Sequence, residues 1–536
     1  MQGKKLLGSK ALLAASGMLV IAGCSDDDTT DADGNVTIST IQTLDDGTQF
    51  RGDESIDDNV HTEWAEEELD IEFDYLWTRP DDEQYNQQIR LEMSANEELA
   101  DVFQVGDEQM LADLIESGRI QPIDDAIEEY ASPRLKELFD EHEEAFFPST
   151  EDGERYGIPR FSGGNGSDTV LWVRQDWLDD YDVDPPETLS DLEEAMEVFI
   201  DEDPGGDTGF GTTNIGDSTF VFGAFGDFAP FHWSEDENGD LVYGSVQDNA
   251  RDGLEKMNEW YEEGYLASDI GTASEGSAQE SFLAGNSGFM TAPPWGWDYP
   301  IGDLFENDPD AEVQPYPIPS GDDGQIGRRG ENLLTGTFVF SSEFEHMEEY
   351  FEYLDAIYGF TFGDDEYFED GLWEGYDFAY DDDGEPVYSS EEFEDTTGEE
   401  RLDAGRYMLP TNVPTVPYQM YDILDDFHQD DEPDPDTAYE ATLADEEPKY
   451  MEAASIVNSQ NDIRIEDYNT GPPTETMRDI GESLERMEME VYADIIYGNE
   501  PIEAFDDFVE EWYESGGDQV EEEVNEWYED SQEDIE

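Results

Sequence analysis

Basic residues and cysteine are both scarce in this chain of 536 residues. It has 22 Lys and Arg against 144 Asp and Glu, so its formal net charge is −122. Nucleic-acid binding depends on basic side chains that neutralise phosphates, and docking on anionic lipid needs a basic patch, so the composition excludes both kinds of partner. The single cysteine, Cys24, excludes a disulfide within the chain and a zinc site built from several cysteines.

Aromatic residues, in contrast, are abundant: the chain has 29 Phe, 27 Tyr and 11 Trp. Acidic chains that stay disordered are poor in such residues, because they lack the apolar surface that offsets the entropy of ordering. The composition therefore predicts a folded protein with a large core and an acidic surface. Its length predicts two or three domains, or two large lobes.

The acidity indicates where the protein works. A globule of this mass exposes roughly 19,000 Å², or about 150 Å² per net charge. Neighbouring net charges then lie about 12 Å apart, close to the ~8–10 Å Debye length at ordinary salt, whereas at ~1 M salt this length is ~3 Å. The composition favours a hypersaline medium, with high external pH as the second setting. Since carboxylate pairs are so common here, they are no evidence for acid–base catalysis.

The N-terminus has the pattern of a secretory signal. Residues 1–23 combine a basic start with an apolar run and contain no acid. The run ends in Ile21-Ala22-Gly23-Cys24, which resembles the bacterial lipobox. This resemblance implies cleavage after Gly23 and lipid attachment at Cys24, which would hold the protein on the outer face of the cell membrane. An uncleaved single-span anchor and a buried structural cysteine are the alternatives. Residues 24–35 are predicted to be an acidic tether.

Strand and helix patterns alternate through the first part of the folded chain. Strands are predicted at 36–40, 69–77 and 100–105, and helices at 60–68, 85–96 and 108–117. This β-α-β-α-β-α order predicts a largely parallel sheet covered by helices.

A second unit begins at a strand predicted over 169–174. The helix that follows, 189–200, has Thr188 as its expected N-cap and Asp191 completing a capping box. Further strands are predicted at 288–291 and 337–340, and a long amphipathic helix follows Pro472-Pro473.

Short blocks in a fixed order resemble one family. The blocks are Ala100-Asp101-Val102, Gly118–Asp124, Tyr156–Pro159, Leu171–Leu178, Pro186–Leu189, Phe282–Gly288, Gly371–Asp377, Gly471–Met477 and Phe505–Val509. Together they resemble the extracellular solute-binding proteins (family 1) of ABC importers, in the long lipoprotein branch for complex oligosaccharides. The resemblance implies a two-lobed α/β fold, periplasmic-binding-protein-like (type II), with a hinge and an interlobe ligand cleft. It places lobe one at 36–165 with 290–345 and lobe two at 166–289 with 346–536.

The function that this resemblance implies is capture of an oligosaccharide outside the cell and its delivery to an ABC permease. The expected partners are the permease subunits with a cytoplasmic ATPase, and the receptor itself is expected to be a monomer. The sequence has no Gly-x-Ser-x-Gly elbow, phosphate loop or His-Glu-x-x-His motif, so no enzyme activity is predicted. The alternatives are an anchored glycoside hydrolase or polysaccharide lyase and an acidic adhesion protein. A peptide ligand remains an alternative to the sugar.

The strongest candidate for ligand contact is an aromatic loop. Trp295, Trp297, Asp298 and Tyr299 follow the Gly285–Gly288 turn, where the resemblance implies a cleft aromatic. Sugars present apolar faces and polar rims, so a sugar site combines aromatic platforms with hydrogen-bonding groups. Packing in an apolar core is the alternative for the two tryptophans.

The other candidates lie where the chain is expected to cross between lobes or to follow a strand. Arg160, Trp172 and Arg174 are expected at the crossing. If the oligosaccharide contains uronates, either arginine could bind a uronate carboxylate in bidentate fashion. A salt bridge is the alternative for each arginine. Asp107 is a candidate acceptor for sugar hydroxyls, with a helix N-cap as the preferred role. The weaker candidates are Trp77, Trp233, Trp373 and Tyr376.

Neither a cofactor nor a metal is predicted. Residues 201–207 occupy the place of a loop that holds calcium in some relatives, but here the loop is shortened and the regular Asp/Asn alternation is lost. The segment is interpreted as a plain acidic turn.

Overall fold

A computed structural model describes residues 35–44, 47–202, 209–211, 218–236, 238–267, 270, 281–363, 367–409, 412–430 and 435–535. The signal segment, Cys24 and almost all of the tether lie outside these ranges, as does most of the 201–207 loop. Within them, no helix has both the length and the apolar character required to cross a membrane.

The strands, in chain order, are β1 (Val36–Thr43), β2 (Ile71–Arg79), β3 (Val102–Val105), β4 (Thr150–Glu151), β5 (Glu154–Arg155), β6 (Gly157–Phe161), β7 (Val170–Arg174), β8 (Phe210–Gly211), β9 (Trp233–Glu235), β10 (Leu241–Tyr243), β11 (Phe289–Ala292), β12 (Val313–Tyr316), β13 (Arg328–Arg329), β14 (Leu334–Phe340), β15 (Ala379–Tyr380), β16 (Pro386–Val387) and β17 (Arg464–Ile465).

The α-helices of the described ranges are α1 (Val60–Leu69), α2 (Asp82–Ala95), α3 (Glu108–Glu116), α4 (Asp124–Tyr130), α5 (Pro133–Glu141), α6 (Gln175–Tyr181), α7 (Leu189–Glu202), α8 (Thr219–Gly223), α9 (Asp248–Glu262), α10 (Ile301–Asn307), α11 (Met347–Phe362), α12 (Ser390–Thr397), α13 (Gln419–Gln429), α14 (Ala438–Ala444), α15 (Pro448–Ser459), α16 (Glu475–Ile496), α17 (Ala504–Trp512) and α18 (Asp518–Ile535). A π-helical turn, Tyr513–Gly517, joins the last two.

The first sheet has the strand order β2-β1-β3-β14-β6. Its first three strands are parallel, as the alternation with helices predicts, while β14 runs antiparallel to both β3 and β6. The alternation of apolar and polar residues in β2 matches the burial of its side chains. Ile71, Phe73 and Tyr75 are buried, whereas Glu72 and Asp74 are exposed.

The second sheet has the order β12-β7-β11-β8 and is mostly antiparallel, since β7 runs opposite to both β11 and β12. The side chains of β7 alternate between two cores. Leu171 and Val173 pack with α7, α9 and α16, whereas Val170 and Trp172 pack with α13 and α15. Helices therefore cover both faces of this sheet.

The predicted capping box of α7 is confirmed. The Thr188 hydroxyl accepts a hydrogen bond from the Asp191 N–H (3.1 Å), and the Asp191 carboxylate accepts one from the Thr188 N–H (3.0 Å). The helix then buries one apolar stripe, from Leu189 to Phe199, in the second lobe.

The expected lobe boundaries require correction. Residues 290–316 were expected in lobe one, but β11 and β12 pair with β7 in the second sheet. Conversely, α11 and the following segment to Leu409 were expected in lobe two, but they pack into the core of the first sheet. The chain thus crosses between the lobes at residues 162–169, 317–333 and 412–418.

Candidate ligand cleft

A cleft of about 1090 Å³ lies between the two lobes. Lobe one supplies residues 105–111, where β3 leads into α3, together with 144–148 and the start of β14. Lobe two supplies residues from α16 and from β9 and β10. The floor, defined as residues 331–333, Tyr418 and 466–471, is formed by two of the crossing segments and by the chain just after β17.

Aromatic rings line much of this cleft. They are Phe147, Phe231, Trp233, Tyr243, Tyr418, Tyr468, Trp512 and Tyr528. Trp233 and Trp512 are buried behind Tyr243, whose ring lies 5.1 Å from one and 5.4 Å from the other. Tyr468 is 37% exposed, with its ring 6.2 Å from that of Tyr528. Such faces suit the apolar C–H surfaces of a sugar.

Carboxylates in the cleft walls have shifted pKa values. Burial raises the pKa of Asp467 to about 6, although this carboxylate accepts hydrogen bonds from the N–H groups of Trp233 (3.1 Å) and Asn469 (3.2 Å). Burial likewise raises the pKa of Glu488 to about 7. These groups can accept hydrogen bonds from ligand hydroxyls or, when protonated, donate one.

A buried ion cluster lies beneath the floor. The Asp168 carboxylate, in the first crossing segment, is 2.8 Å from both Arg328 Nη2 and Arg464 Nε. Its other oxygen accepts a hydrogen bond from the Glu331 N–H (3.0 Å). Because β13 also pairs with β17, this cluster joins the first two crossings to the strand below the floor.

Arg464 connects this cluster to the floor itself. Its Nη1 lies 2.9 Å from the Glu466 carboxylate and donates to the Tyr418 hydroxyl (3.1 Å), and its Nη2 donates to the carbonyls of Gly164 (2.5 Å) and Glu331 (3.1 Å). Tyr418 belongs to the third crossing. All three crossings therefore meet at one guanidinium group, directly below the ligand space.

A second cavity, of about 750 Å³, adjoins the cleft and shares Gly106 and Thr335 with it. The ends of β1 and β3 and the side chains of Arg160 and Arg406 line it. Arg160 thus lies beside the ligand cleft without lining it.

Among the principal ligand candidates, Asp107 lines the main cleft. Its carboxylate caps α3 by accepting a hydrogen bond from the Met110 N–H (2.8 Å), and it also pairs with Arg90. The preferred N-cap role is confirmed. Ligand contact by Asp107 remains a prediction.

The predicted aromatic loop lies on the wrong face of the second sheet for cleft contact. Trp297 packs 6.0 Å from Trp172 and 5.3 Å from Phe305, in the core opposite the one that α16 covers. The indole of Trp295 donates to the Gly166 carbonyl (3.1 Å). None of Trp295, Trp297, Asp298 and Tyr299 lines the cleft.

Trp172 and Arg174 are also structural. The Trp172 ring is buried, and its Nε1 donates to the carbonyls of Ala292 (3.2 Å) and Pro293 (3.3 Å). Arg174 pairs with Asp176 (2.6 Å) and Asp308 (3.1 Å) and lies over the Trp177 ring. Arg174 therefore forms salt bridges, as the alternative interpretation predicted. Neither Trp172 nor Arg174 lines the cleft.

Among the weaker candidates, Trp233 lines the cleft, whereas Trp77, Trp373 and Tyr376 pack within lobe one. Sequence reasoning missed Tyr468 and the rest of the 466–471 floor. The available signal was position, since this stretch immediately precedes Pro472-Pro473 and the long helix α16. The described residues contain no group of three or more metal-binding side chains placed to hold an ion.

Comparison with known sequences gives one family and two curated relatives. The profile described as bacterial extracellular solute-binding protein matches residues 47–359, more than half of the chain. The chain is 29% identical over 181 residues to the polygalacturonan/rhamnogalacturonan-binding protein YtcQ of Bacillus subtilis, covering 32% of this chain and 34% of that protein. It is 27% identical over 169 residues to the fructooligosaccharide ABC transporter substrate-binding protein FusA of Streptococcus pneumoniae, covering 28% and 31%. The similarity thus spans about a third of each relative.

Solved structures resemble almost the whole chain. The alginate-binding protein AlgQ2 superposes with a TM-score of 0.66 and 16% identity over 92% of this chain and 98% of that one. An extracellular solute-binding protein of Bifidobacterium longum subsp. infantis has the same TM-score and identity, 0.66 and 16%, over 94% and 99%. FusA with kestose has a TM-score of 0.61 and 18% identity over 92% and 99%. These similarities confirm the expected two-lobed α/β fold.

Proposed function

Because the chain belongs to the bacterial extracellular solute-binding proteins, we propose that it captures an oligosaccharide in the interlobe cleft and delivers it to an ABC transporter. The observation that carries this proposal is the cleft of about 1090 Å³ between two lobes, lined by aromatic rings. One curated relative is named for binding polygalacturonan and rhamnogalacturonan and the other for fructooligosaccharide, and these names support a sugar ligand.

The working step is closure of the two lobes on the sugar. A ligand that contacts both walls stabilises the closed form because it loses half of those contacts when the lobes separate. The three crossings are the segments able to bend, and their junction at Arg464 lies below the floor that the sugar contacts. Closure presents both lobes to the permease in one arrangement.

The setting of the receptor is part of the same proposal. The signal segment exports the chain, Cys24 carries the lipid that anchors it outside the cell membrane, and the protein works as a monomer with permease subunits and a cytoplasmic ATPase. The acidic composition adapts it to a saline medium. The family consists of binding proteins, and we infer that the sugar leaves the cleft chemically unchanged.

The first test is a thermal-shift and calorimetric screen of oligosaccharides, followed by Tyr468→Ala. Tyr468 is the most exposed ring of the cleft, so its removal takes away a stacking face with little loss of core packing. We expect affinity for the best sugar to fall about tenfold, since stacking on an aromatic ring contributes on the order of 1 kcal/mol.

The matched control is Tyr130→Ala, because Tyr130 is similarly exposed, at 36%, but lies on α4 away from the cleft. It should leave affinity unchanged. Equal losses in both variants, or release of new reducing ends from the bound sugar, would contradict the proposal.

A further inference from the structure

The cleft lining carries an excess of negative charge. Its carboxylates are those of Asp107, Glu108, Glu144, Glu331, Glu466, Asp467, Glu482, Glu485 and Glu488, and Arg478 is the single basic residue among the described residues that line it. We propose that the cleft is selective for uncharged oligosaccharides and rejects those that contain uronates. This inference rests on the proposed sugar-binding function and narrows its substrate class.

The two arginines beneath the floor of the cleft are already engaged. Arg328 and Arg464 are buried against Asp168, and Arg464 also pairs with Glu466. Arg174 is held by two aspartates outside the cleft. Recognition of a uronate carboxylate is strongest with a guanidinium group that presents two N–H donors to it. Among the described residues that line the main cleft, the exposed Arg478 on α16 is the one guanidinium group for this purpose.

The adjoining cavity does not reverse this balance. Arg160 and Arg406 line it, but so do Asp81 and Asp82, and Arg406 lies 3.2 Å from Asp403. Its formal charges therefore cancel. A chain of uronates running from the cleft into this cavity would meet a net negative lining in the cleft and a formally neutral one in the cavity.

The carboxylates of the cleft also repel one another. Partial desolvation within the cleft, followed by the charges of Asp467 and Asp107, raises the pKa of Glu108 above its ordinary value, although part of the side chain is exposed to solvent. Because a uronate is ionised at neutral pH, it would add a further negative charge to this group. Molar salt screens exposed charges, with a Debye length of ~3 Å at 1 M, but it screens charges within a closed cleft much less.

The same lining suits an uncharged sugar. A carboxylate is a strong acceptor for hydroxyl groups, and a charge-assisted O–H···O⁻ bond is stronger than a neutral one. The aromatic rings of Tyr468 and its neighbours contact the apolar face of each sugar ring. Hydroxyl-rich sugars thus gain contacts from both kinds of lining residue without adding charge.

The test compares ligands of the same length that differ chiefly in charge. Oligogalacturonides are measured as free acids and as fully methyl-esterified forms of the same length, beside uncharged fructo-, galacto- and xylo-oligosaccharides. Affinities are taken by calorimetry at ~0.5 and ~2 M NaCl, at both of which exposed charges are strongly screened. We expect the best ligand to be uncharged, and free acids to bind at least about tenfold more weakly than it.

A triple variant removes charge from the cleft without removing a hydrogen bond or an ion pair seen in the structure. Glu108→Gln, Glu482→Gln and Glu485→Gln are combined, because all three side chains are exposed in the cleft. The matched control combines Glu67→Gln, Glu68→Gln and Glu255→Gln, three exposed acids on α1 and α9. The cleft variant should raise the affinity for free acids, relative to their esters, by about tenfold, and the control should leave this ratio unchanged.

The outcomes separate the two proposals. A free acid that binds as tightly as the best uncharged sugar overturns the charge inference but leaves sugar capture standing. An unchanged acid-to-ester ratio in the cleft variant also overturns the inference. Absence of binding by any sugar of either kind overturns the proposed function, and the charge inference with it.

Discussion

At the scale of single residues, Glu488 couples the cleft wall to pH. It is buried on α16, and its neighbours are the Tyr243 hydroxyl, which donates to it at 2.9 Å, the Ser245 hydroxyl and the Glu485 carboxylate. Burial raises its pKa from 4.5 to about 7. The folded state therefore holds this proton at pH values where the unfolded chain has lost it.

The raised pKa of Glu488 predicts that this residue makes the folded protein less stable as the pH rises. Between about pH 4.5 and 7 the unfolded state binds fewer protons, so the free energy of unfolding falls across this window and levels off above it. The loss is about 3 kcal/mol, since each pKa unit between 4.5 and about 7 corresponds to ~1.4 kcal/mol. We expect Glu488→Gln to be more stable than the unmodified protein at pH 8 by about 3 kcal/mol, and equally stable near pH 4, in thermal unfolding at high salt.

The control for this prediction is Glu255→Gln, on the exposed side of α9, which should follow the unmodified protein at every pH. Asp377 and Glu446, whose pKa values burial raises to about 7, contribute slopes of the same sign. Glu488→Gln should therefore reduce the pH dependence without abolishing it. If the pH dependence of the free energy of unfolding is the same in Glu488→Gln as in the unmodified protein, Glu488 does not contribute to it.

The sequence predicted site residues less well than elements, and the reason is physical. The Pro and Gly residues around Trp295 and Trp297 correctly indicate a turn, but no local pattern tells which face of a sheet a turn will cover. Arg174 was recognisable as a residue with a specific partner, yet its partner is protein and not ligand. Tyr468 has no periodic signal, because its role depends on three crossings that meet only in the folded chain.

At the scale of elements, the turn between α17 and α18 positions a cleft aromatic. Gly516 has φ of 116°, a conformation that favours glycine, and it allows the two helices to meet at an angle. A Cβ on Gly517 would lie 2.1 Å from the Trp512 ring, which lines the cleft. The Gly516-Gly517 pair is therefore required by close packing behind the ligand site.

We expect Gly517→Ala to lower the free energy of unfolding by about 1–3 kcal/mol, the usual cost of overpacking, and to weaken sugar binding by displacing Trp512. Gly481→Ala is the matched control, because it lies inside α16 and its Cβ would meet only Met477 at 4.0 Å. It should gain about 0.5–1 kcal/mol, since alanine favours helix. Chemical denaturation of both variants measures the difference, and equal stabilities would contradict this account.

Elements were predicted well because their signals are local. The alternation in β2 and the capping box of α7 depend on residues within a few positions of each other. The assignment of elements to lobes failed for 290–316 and 347–409, because it depends on which sheet a strand joins after a long crossing. The antiparallel direction of β14 likewise has no local signature.

At the scale of the whole molecule, the charges of the acidic surface repel one another, whereas those of the buried ion cluster beneath the cleft floor attract one another. In the part of the chain that the structure describes, nearly all acidic residues are exposed or half-buried, and their mutual repulsion weakens the fold. The Asp168 carboxylate with Arg328 and Arg464 is buried, so its attractions depend little on salt. Salt should therefore weaken the repulsion between surface carboxylates without weakening the buried ion cluster.

This difference predicts that the midpoint of thermal unfolding rises by roughly 5–10 °C between ~0.1 and ~2 M NaCl, where the Debye length falls from ~10 Å to below ~3 Å.

Asp168→Asn should lower the midpoint at every salt concentration, because it leaves two buried guanidinium groups without their shared carboxylate, a loss of about 3–5 kcal/mol. Its dependence on salt should nevertheless match that of the unmodified protein. Sucrose at equal osmolality separates charge screening from exclusion effects. A midpoint that is independent of NaCl would refute the saline interpretation, and a changed salt slope in Asp168→Asn would refute the separation between surface and hinge.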